Sequence, residues 1–263
     1  MTDSLVLLSV DDHGIATITL NRADKRNAMN DAMRAEFVVA LNRVASDKTI
    51  RALVLTGAGK GFCAGGDIAG MGKRMSAPTG EIAFNGWSRQ QGVHHVQSLL
   101  HTMPKPTIAA VNGAASGLGA DTALACDFIM VSEHASFTWS YIHRGIIPDG
   151  GGMYFLPRRV GLPKAKELIF TGRKVDSAEA LSMGIADRKS SADQLVSSAQ
   201  VWARELSKGS ATALALGKTI LNQTFELPSE QIFAQGSQAQ GICYTSTEHR
   251  EAVMAFLNKT AAQ

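Results

Sequence analysis

The sequence predicts an α/β fold that ends in helices, and three observations carry that reading. Short apolar runs of strand length alternate with helix-period segments up to about residue 190. Only helical patterns follow them. Two of the apolar runs, 51–56 and Thr107–Val111, feed into glycine-rich turns, where a backbone can bend tightly and approach a ligand closely.

The elements follow in order. Residues 5–10 and Ile15–Leu20 flank Asp11, Asp12, His13 and Gly14, which predicts two short strands joined by a turn. Residues 21–27 are polar and basic, a loop, and Asn30 is placed to cap the next helix. Met33, Phe37, Leu41 and Val44 recur at spacings of four, four and three, one face of that helix. Residues 51–56 read as a buried strand. Pro78 and Gly80 mark a turn, and 87–103 reads as a helix with Val93, Val96, Leu99 and Leu100 inward, stopped by Pro104 and Pro106. Thr107–Val111 and Phe128–Val131 read as strands, with a helix over 121–126 between them. Trp139, Tyr141 and His143 alternate as on a strand. Pro163 opens a helix that Gly172 closes, and Asp176 opens one that Gly184 closes. Leu195, Ala199, Trp202 and Leu206 share a helix face, as do Ala213, Leu216 and Ile220. Residues 248–259 read as a last helix with Ala252, Ala255 and Phe256 inward.

Length and composition bound the function. A chain of 263 residues holds one domain with a sizeable core, or one domain with a small appendage. A net charge of +3 is too small to argue for a nucleic-acid partner. The N-terminus lacks a basic leader and its apolar run breaks at Ser9, so neither a signal peptide nor a membrane span is expected, and the reading is cytoplasmic. Cys63, Cys126 and Cys243 are widely spaced, which points to neither a disulfide framework nor a zinc site.

The most informative stretch is Val111-Asn-Gly-Ala-Ala-Ser-Gly-Leu-Gly-Ala-Asp121. Its glycines allow a tight turn, and the amides at Leu118 and Gly119 would open a helix, where unpaired N–H groups favour negative charge. Asp121 sits one turn in. A second turn, Gly61-Phe-Cys-Ala-Gly-Gly-Asp67, has the same character. Neither is a nucleotide fingerprint: Thr122 stands where a dinucleotide loop needs Gly or Ala, and no Ser or Thr follows Lys60 as a P-loop requires.

These turns resemble those of the crotonase superfamily, the enoyl-CoA hydratase/isomerase family. Other matching pieces occur in order: Asn21 to Ala28, Lys105 to Gly113, Gly117 to Asp127, Gly145-Ile-Ile-Pro-Asp-Gly-Gly-Gly152, Leu156 to Gly161, Thr171-Gly172, Ala180 to Ala186 and Glu251 to Lys259. The resemblance covers nearly the whole chain. It implies a crotonase-like spiral of β-β-α units over 1–195 and a C-terminal helical region over 196–263 that trimerises and covers the acyl-CoA site. It implies a homo-oligomer, trimer or dimer of trimers, and an acyl-CoA thioester substrate. No metal is implied, no cofactor beyond the coenzyme A carried by the substrate, and no nucleic-acid or membrane partner.

The resemblance also assigns residues. Gly66 and Leu118 would supply two backbone N–H groups to an oxyanion hole, with Leu118 standing where the family usually has glycine. Lys25, Arg26, Ala28, Ala64, Asp67, Ile68, Phe256 and Lys259 would surround CoA, with Arg22, Lys25, Arg26 and Lys259 suiting its phosphates. Asp67 also closes its turn, so it is expected to bond loop amides. The family's hydratases hold a water between two glutamates. Here the first position is Asp121 and the second is Tyr141, so that pair is not intact. Asp149 falls where some family isomerases place a catalytic aspartate. Pro148-Asp149-Gly150 is also a common turn. In this setting Asp149 is expected to be a general base, with Asp121 a second acid or one that orients it. Tyr141 and Trp139 would line the substrate pocket. Of His94 and His95, adjacent on a helix, at most one could face that pocket. The expected activity is movement of an acyl-CoA double bond, with 2-enoyl-CoA hydration as the alternative and a catalytically silent CoA-binding scaffold as a further one.

Overall fold

The computed structural model of the protein describes residues 4–68, 72 and 76–261, with the side chains of 259–261 outside the described set. Strands β1 (Val6–Val10) and β2 (Ile15–Leu20) form the expected hairpin, paired antiparallel with Leu8 opposite Ile18. Asp11 Oδ1 closes its turn by accepting from the amides of His13 and Ile15. Helix α1 (Asp31–Ser46) is capped by the Asn30 side chain, which accepts from the Met33 amide, and buries Met33, Phe37, Leu41 and Val44 as their spacing requires.

The next elements repeat a simple step. A first strand joins a large sheet, a second joins a small one, and a helix follows. So β3 (Ala52–Gly57) leads to β4 (Gly61–Cys63) and α2 (Thr79–His101). Strand β5 (Thr107–Val111) leads to β6 (Ala114–Ser116) and α3 (Leu118–Leu124). Strand β7 (Phe128–Val131) leads to β8 (Ser136–Thr138). Helices α4 (Gly152–Val160) and α5 (Leu162–Thr171), strand β9 (Lys174–Asp176), helix α6 (Ser177–Met183) and strand β10 (Arg188–Lys189) complete the turns. The large sheet runs β1-β2-β3-β5-β7-β10 and the small one β4-β6-β8-β9. The pairings β3–β5, β5–β7, β4–β6 and β6–β8 are parallel. This is the expected spiral of β-β-α units.

A parallel sheet of this kind is covered on both faces. Every residue of β3 and β5 is buried. The period of two divides them: Leu53, Leu55, Ala109 and Val111 face the core shared with α1 and α2, while Ala52, Val54, Ile108 and Ala110 face α7 (Leu195–Leu206). Leu195, Ala199 and Trp202 of α7 meet that second face, as predicted.

Three expectations are corrected. Helix α2 begins at Thr79, not Trp87, so Pro78 starts a helix and marks no turn. Its first two turns bury nothing, with Phe84 65% and Trp87 62% exposed, and therefore carry no core-facing period. Residues 139–143 are not a strand: β8 ends at Thr138 and a short 3-10 turn covers Ile142–Arg144, leaving His143 exposed. Helix α8 (Ala211–Leu221) carries Ala213, Leu216 and Ile220 at the expected helical spacing. In α10 (Thr247–Ala261), Ala252, Ala255 and Phe256 point outward, with Phe256 71% exposed. That helix touches mainly α9 (Ser229–Thr245), which the sequence reading missed, and neither meets the core of this chain. Among the described residues no helix is long and apolar enough to cross a membrane.

Candidate active site

Two close backbone approaches build the site. An ideal Cβ on Gly119 would sit 2.1 Å from the Cys63 carbonyl oxygen, and one on Gly65 would sit 2.7 Å from that of Ser116. Gly65 also has a φ of 97°, a left-handed conformation that favours glycine. Only glycine at both places lets the end of β4 lie against the start of α3. The contact brings Gly66 beside Leu118. Gly66 is held in register by a parallel bridge to Met29, with the Met29 amide donating to Gly65 and the Asp67 amide to Met29. Leu118 is the first residue of α3, where an amide has no partner within its helix. Among the described residues, neither the Gly66 nor the Leu118 amide finds an acceptor.

Both residues border a cavity of about 530 Å³. Its wall includes Val93, Arg89 and Gln90 of α2, Tyr141, Ile146, Ile147 and Asp149. A smaller cavity of about 40 Å³ adjoins it, shares Gly66, Leu118 and Tyr141, and adds Ala64, Ile68, Ser140 and Arg144. The Leu118 side chain is buried and packs under Gly150, where an added Cβ would lie 2.5 Å from Leu118 Cδ1. It fills space at the junction of the two cavities.

The two aspartates are placed differently. Asp149 faces the large cavity and is half-buried. Burial raises its carboxyl above the usual aspartate range, while its own backbone amide, Arg89, His94 and Tyr141 pull the other way. His94 Nε2 lies 3.0 Å from the Asp149 carbonyl oxygen, so of the adjacent histidines it is His94 that meets the Asp149 loop. Asp121 is 0% exposed and is not among the residues lining either cavity. Trp139 Nε1 donates to its Oδ1 at 3.0 Å and the Tyr141 hydroxyl to its Oδ2 at 2.7 Å. Glycines 150 and 152 crowd the same carboxyl: a Cβ on either would fall within 2.7 Å of an Asp121 oxygen. Burial, reinforced by nearby Asp149, lifts Asp121 to about 7 against the Tyr141, Trp139 and Gly152 hydrogen bonds.

The pocket residues expected from the sequence separate in the same way. Tyr141 lines both cavities, whereas Trp139 is fully buried, stacks on Phe137 at 6.4 Å and supports Asp121 from behind. The expectation that Trp139 lines the pocket is corrected on that ground.

Residues expected around CoA fall partly together. Ala64 and Ile68 border the small cavity. Lys25 and Arg26 are exposed on the adjoining loop, tied to it by the Ala64 amide donating to the Arg26 carbonyl at 2.9 Å. Asp67 pairs with Arg22 at 2.6 Å, and Arg22 also donates to the Ala28 carbonyl. Asp67 thus ties two loops through the Arg22 guanidinium. Phe256 lines neither cavity. The Lys259 side chain lies outside the described residues.

Asn27 escaped the sequence reading. It is fully buried, and its amide donates to the carbonyls of Ala58, Gly61 and Phe62 while its Oδ1 accepts from Arg22. One side chain knots the loop to β4. Its signal was present: Asn27 follows a basic run and takes a φ of 57°, which asparagine tolerates better than most. Nothing in the sequence pattern placed Arg89 and Gln90 on the wall.

Comparison with known proteins finds relatives over nearly the whole chain. The family model for enoyl-CoA hydratase/isomerase matches residues 11–263. The 1,2-epoxyphenylacetyl-CoA isomerase of Escherichia coli (strain K12) is 35% identical over 257 residues, covering 98% of this chain and 97% of the relative. The short-chain-enoyl-CoA hydratase of Clostridium acetobutylicum is 33% identical, covering 93% and 92%. A crystal structure of a probable enoyl-CoA hydratase/isomerase from Mycobacterium abscessus superposes with a TM-score of 0.86 at 32% identity, covering 98% of this chain and 97% of the other.

Proposed function

The chain belongs to the enoyl-CoA hydratase/isomerase family, and on that premise we propose that it moves a carbon–carbon double bond within an acyl-CoA through an enolate. The observation that carries this is the cavity itself: one carboxylate, Asp149, faces it beside the Gly66 and Leu118 amides, and the other, Asp121, is walled off.

The chemistry follows from those positions. A thioester α-proton is weakly acidic, and two fixed amides stabilise the developing enolate oxygen by about 2.7–4 kcal/mol each in comparable oxyanion holes. Asp149 takes the proton and returns it to the far carbon of the allylic system, so one residue serves as base and then as acid. Its raised carboxyl suits that exchange. The reaction uses no group beyond the CoA that the substrate carries. Ala64, Ile68, Lys25 and Arg26 are the residues we assign to CoA. The Val93, Leu118, Tyr141, Ile146 and Ile147 wall supports a bulky or ring-bearing acyl group.

Hydration of a 2-enoyl-CoA is the second reading, favoured by relatives named as hydratases. It needs a water held between two acids, and only Asp149 is placed to hold one. We further propose a cytoplasmic homo-oligomer, a trimer or a pair of trimers. Phe225, Phe233, Phe256 and Leu257, each more than half exposed in this chain, are the surface a second copy would cover.

The test is a panel of enoyl-CoA esters followed by mass spectrometry. Isomerisation gives a product of unchanged mass and altered retention. A gain of one water would replace this reading with hydration, and binding without turnover would leave a silent scaffold.

A further inference from the structure

Gln97 is the polar exception on the buried face of α2. Val93, Val96 and Leu100 on that helix are buried, and Gln97 itself is 5% exposed. Its Nε2 donates to Thr122 Oγ1 of α3 at 3.1 Å. Among the described residues its Oε1 finds no donor. A buried amide that is only half satisfied lowers stability, and an apolar side chain of similar length would remove that cost. The Thr122 hydroxyl decides which half of the amide is used. It carries one proton and donates it to the Leu118 carbonyl at 2.7 Å, so toward Gln97 it can only accept.

These bonds end on the residue whose amide borders the cavity. The Leu118 N–H belongs to the Gly117–Leu118 peptide. The oxygen of that peptide accepts from the Asp121 amide at 3.1 Å, and the Gly117 amide donates to the Thr138 carbonyl at 2.8 Å. In a trans peptide the N–H points opposite to its carbonyl, so a bond that pins the Gly117 oxygen also aims the Leu118 N–H. The next carbonyl, that of Leu118, is the one Thr122 holds. Two successive peptides at the start of α3 are thus tied, the second of them through Thr122 to α2. Val93, four residues before Gln97 and on the same helix face, lines the large cavity. Helix α2 therefore meets the acyl wall through one residue and the first turn of α3 through the next on that face.

We propose that Gln97 and Thr122 form a relay that positions the Leu118 amide as an oxyanion donor, the Gln97 amide fixing the Thr122 hydroxyl and that hydroxyl fixing the Leu118 carbonyl. This deepens the isomerase reading and rests on it. Gln97 and Thr122 line neither cavity. They are positioning residues that act through the Leu118 backbone. The half-satisfied amide lowers stability while the relay raises the rate, so the two properties move in opposite directions when Gln97 is replaced.

Two measurements test this. The first is steady-state kinetics on a 3-enoyl-CoA beside the melting temperature. Gln97→Met keeps length and volume and removes both the donor and the unpartnered oxygen. It should melt at or above the wild-type temperature and lower kcat by about 10-fold, less than the roughly 10²-fold of a 1 Å misplacement. KM should stay within about threefold, because the interaction lost is one made in the transition state. Thr122→Val should lower kcat in the same way, and Thr122→Ser, which keeps the hydroxyl, should restore it. Adding Gln97→Met to Thr122→Val should lower kcat no further, since the relay is already cut. An unchanged kcat in Gln97→Met, a fall in kcat that comes with a lower melting temperature, or additive losses in the double variant overturns the proposal.

The second is amide hydrogen exchange read by mass spectrometry, which needs no turnover. In Gln97→Met a peptide spanning 117–124 should exchange faster, while Thr107–Val111 keeps its wild-type rate. Unchanged exchange at 117–124 overturns the relay even in a protein that isomerises, and faster exchange in both segments marks a general loosening and overturns it as well. Faster exchange confined to 117–124, in a protein that turns over no enoyl-CoA, leaves the relay standing and removes the isomerase reading.

Discussion

Asp121 and Asp149 are the same residue type, on neighbouring segments, both near Tyr141. Asp121 has each carboxyl oxygen bonded to a protein donor and lines neither cavity. Asp149 has a carbonyl held by His94 and a carboxyl left facing open space. Burial raises both carboxyls, but only the second stands where a substrate can reach it. A perturbed acid marks a functional region; which atom does the chemistry is decided by access.

The sharpest way to break that comparison is to remove one acid at a time. Asp149→Asn should lower kcat for double-bond movement by about 10²–10⁴-fold, the usual worth of a general base, with substrate binding little changed. A larger loss in kcat from Asp121→Asn than from Asp149→Asn would reverse the assignment. Next in size is the oxyanion donor. Leu118 is the first helical residue of α3, a position where proline fits, so Leu118→Pro removes the N–H and trims the buried side chain. Leu118→Pro should cost about 10²–10³-fold in kcat, while Leu118→Gly, which keeps the amide, should keep the reaction and alter the preferred acyl group. Steady-state kinetics on a graded acyl series separates the two.

Asp121 should show itself in stability instead. Its carboxyl is pushed up to about 7 in the fold from the ordinary aspartate value of 3.8, so between those values the native protein holds a proton that the unfolded chain has released. Stability therefore falls as pH rises from about 4 to about 7 on account of this group. Melting temperatures across that range should decline in wild type and flatten in Asp121→Asn, which is also less stable throughout because its amide cannot accept from both Trp139 and Tyr141. A wild-type slope that survives in the variant would contradict the buried titration. The smallest effect belongs to the loop tie. Arg22 and Asp67 side chains are each 18% exposed, and Asp67→Ala should cost about 1 kcal/mol, or roughly 2–4 °C in melting temperature for a chain of this size, with weaker CoA binding read by calorimetry.

Much of this was legible in the residues, for physical reasons. The β1–β2 hairpin, α1 and the buried β3 and β5 follow from patterns of two and 3.6 because each meets a core in its own chain. The first half of α2 and all of α9 were missed, and the inward face of α10 was misread though its helix was found, because their apolar residues meet no such core. At the site, the glycines at 65 and 119 announced a close approach, and the resemblance picked out Asp149. What spacing could not reveal is direction. Trp139 and Tyr141 stand two apart, as they would on a strand face, yet one supports Asp121 from behind while the other reaches the cavity. Asn27 and Asp67 bind loops to one another through partners that no local pattern names.

The central claim is that Asp149 alone exchanges a proton with an enolate held at Gly66 and Leu118. It is tested most directly by incubating a 3-enoyl-CoA with the protein in deuterium oxide and reading the label by mass spectrometry. The account predicts deuterium at the α and γ carbons with wild type and no uptake above the uncatalysed rate with Asp149→Asn. Full uptake in Asp149→Asn, or a product heavier by one water in wild type, would contradict it.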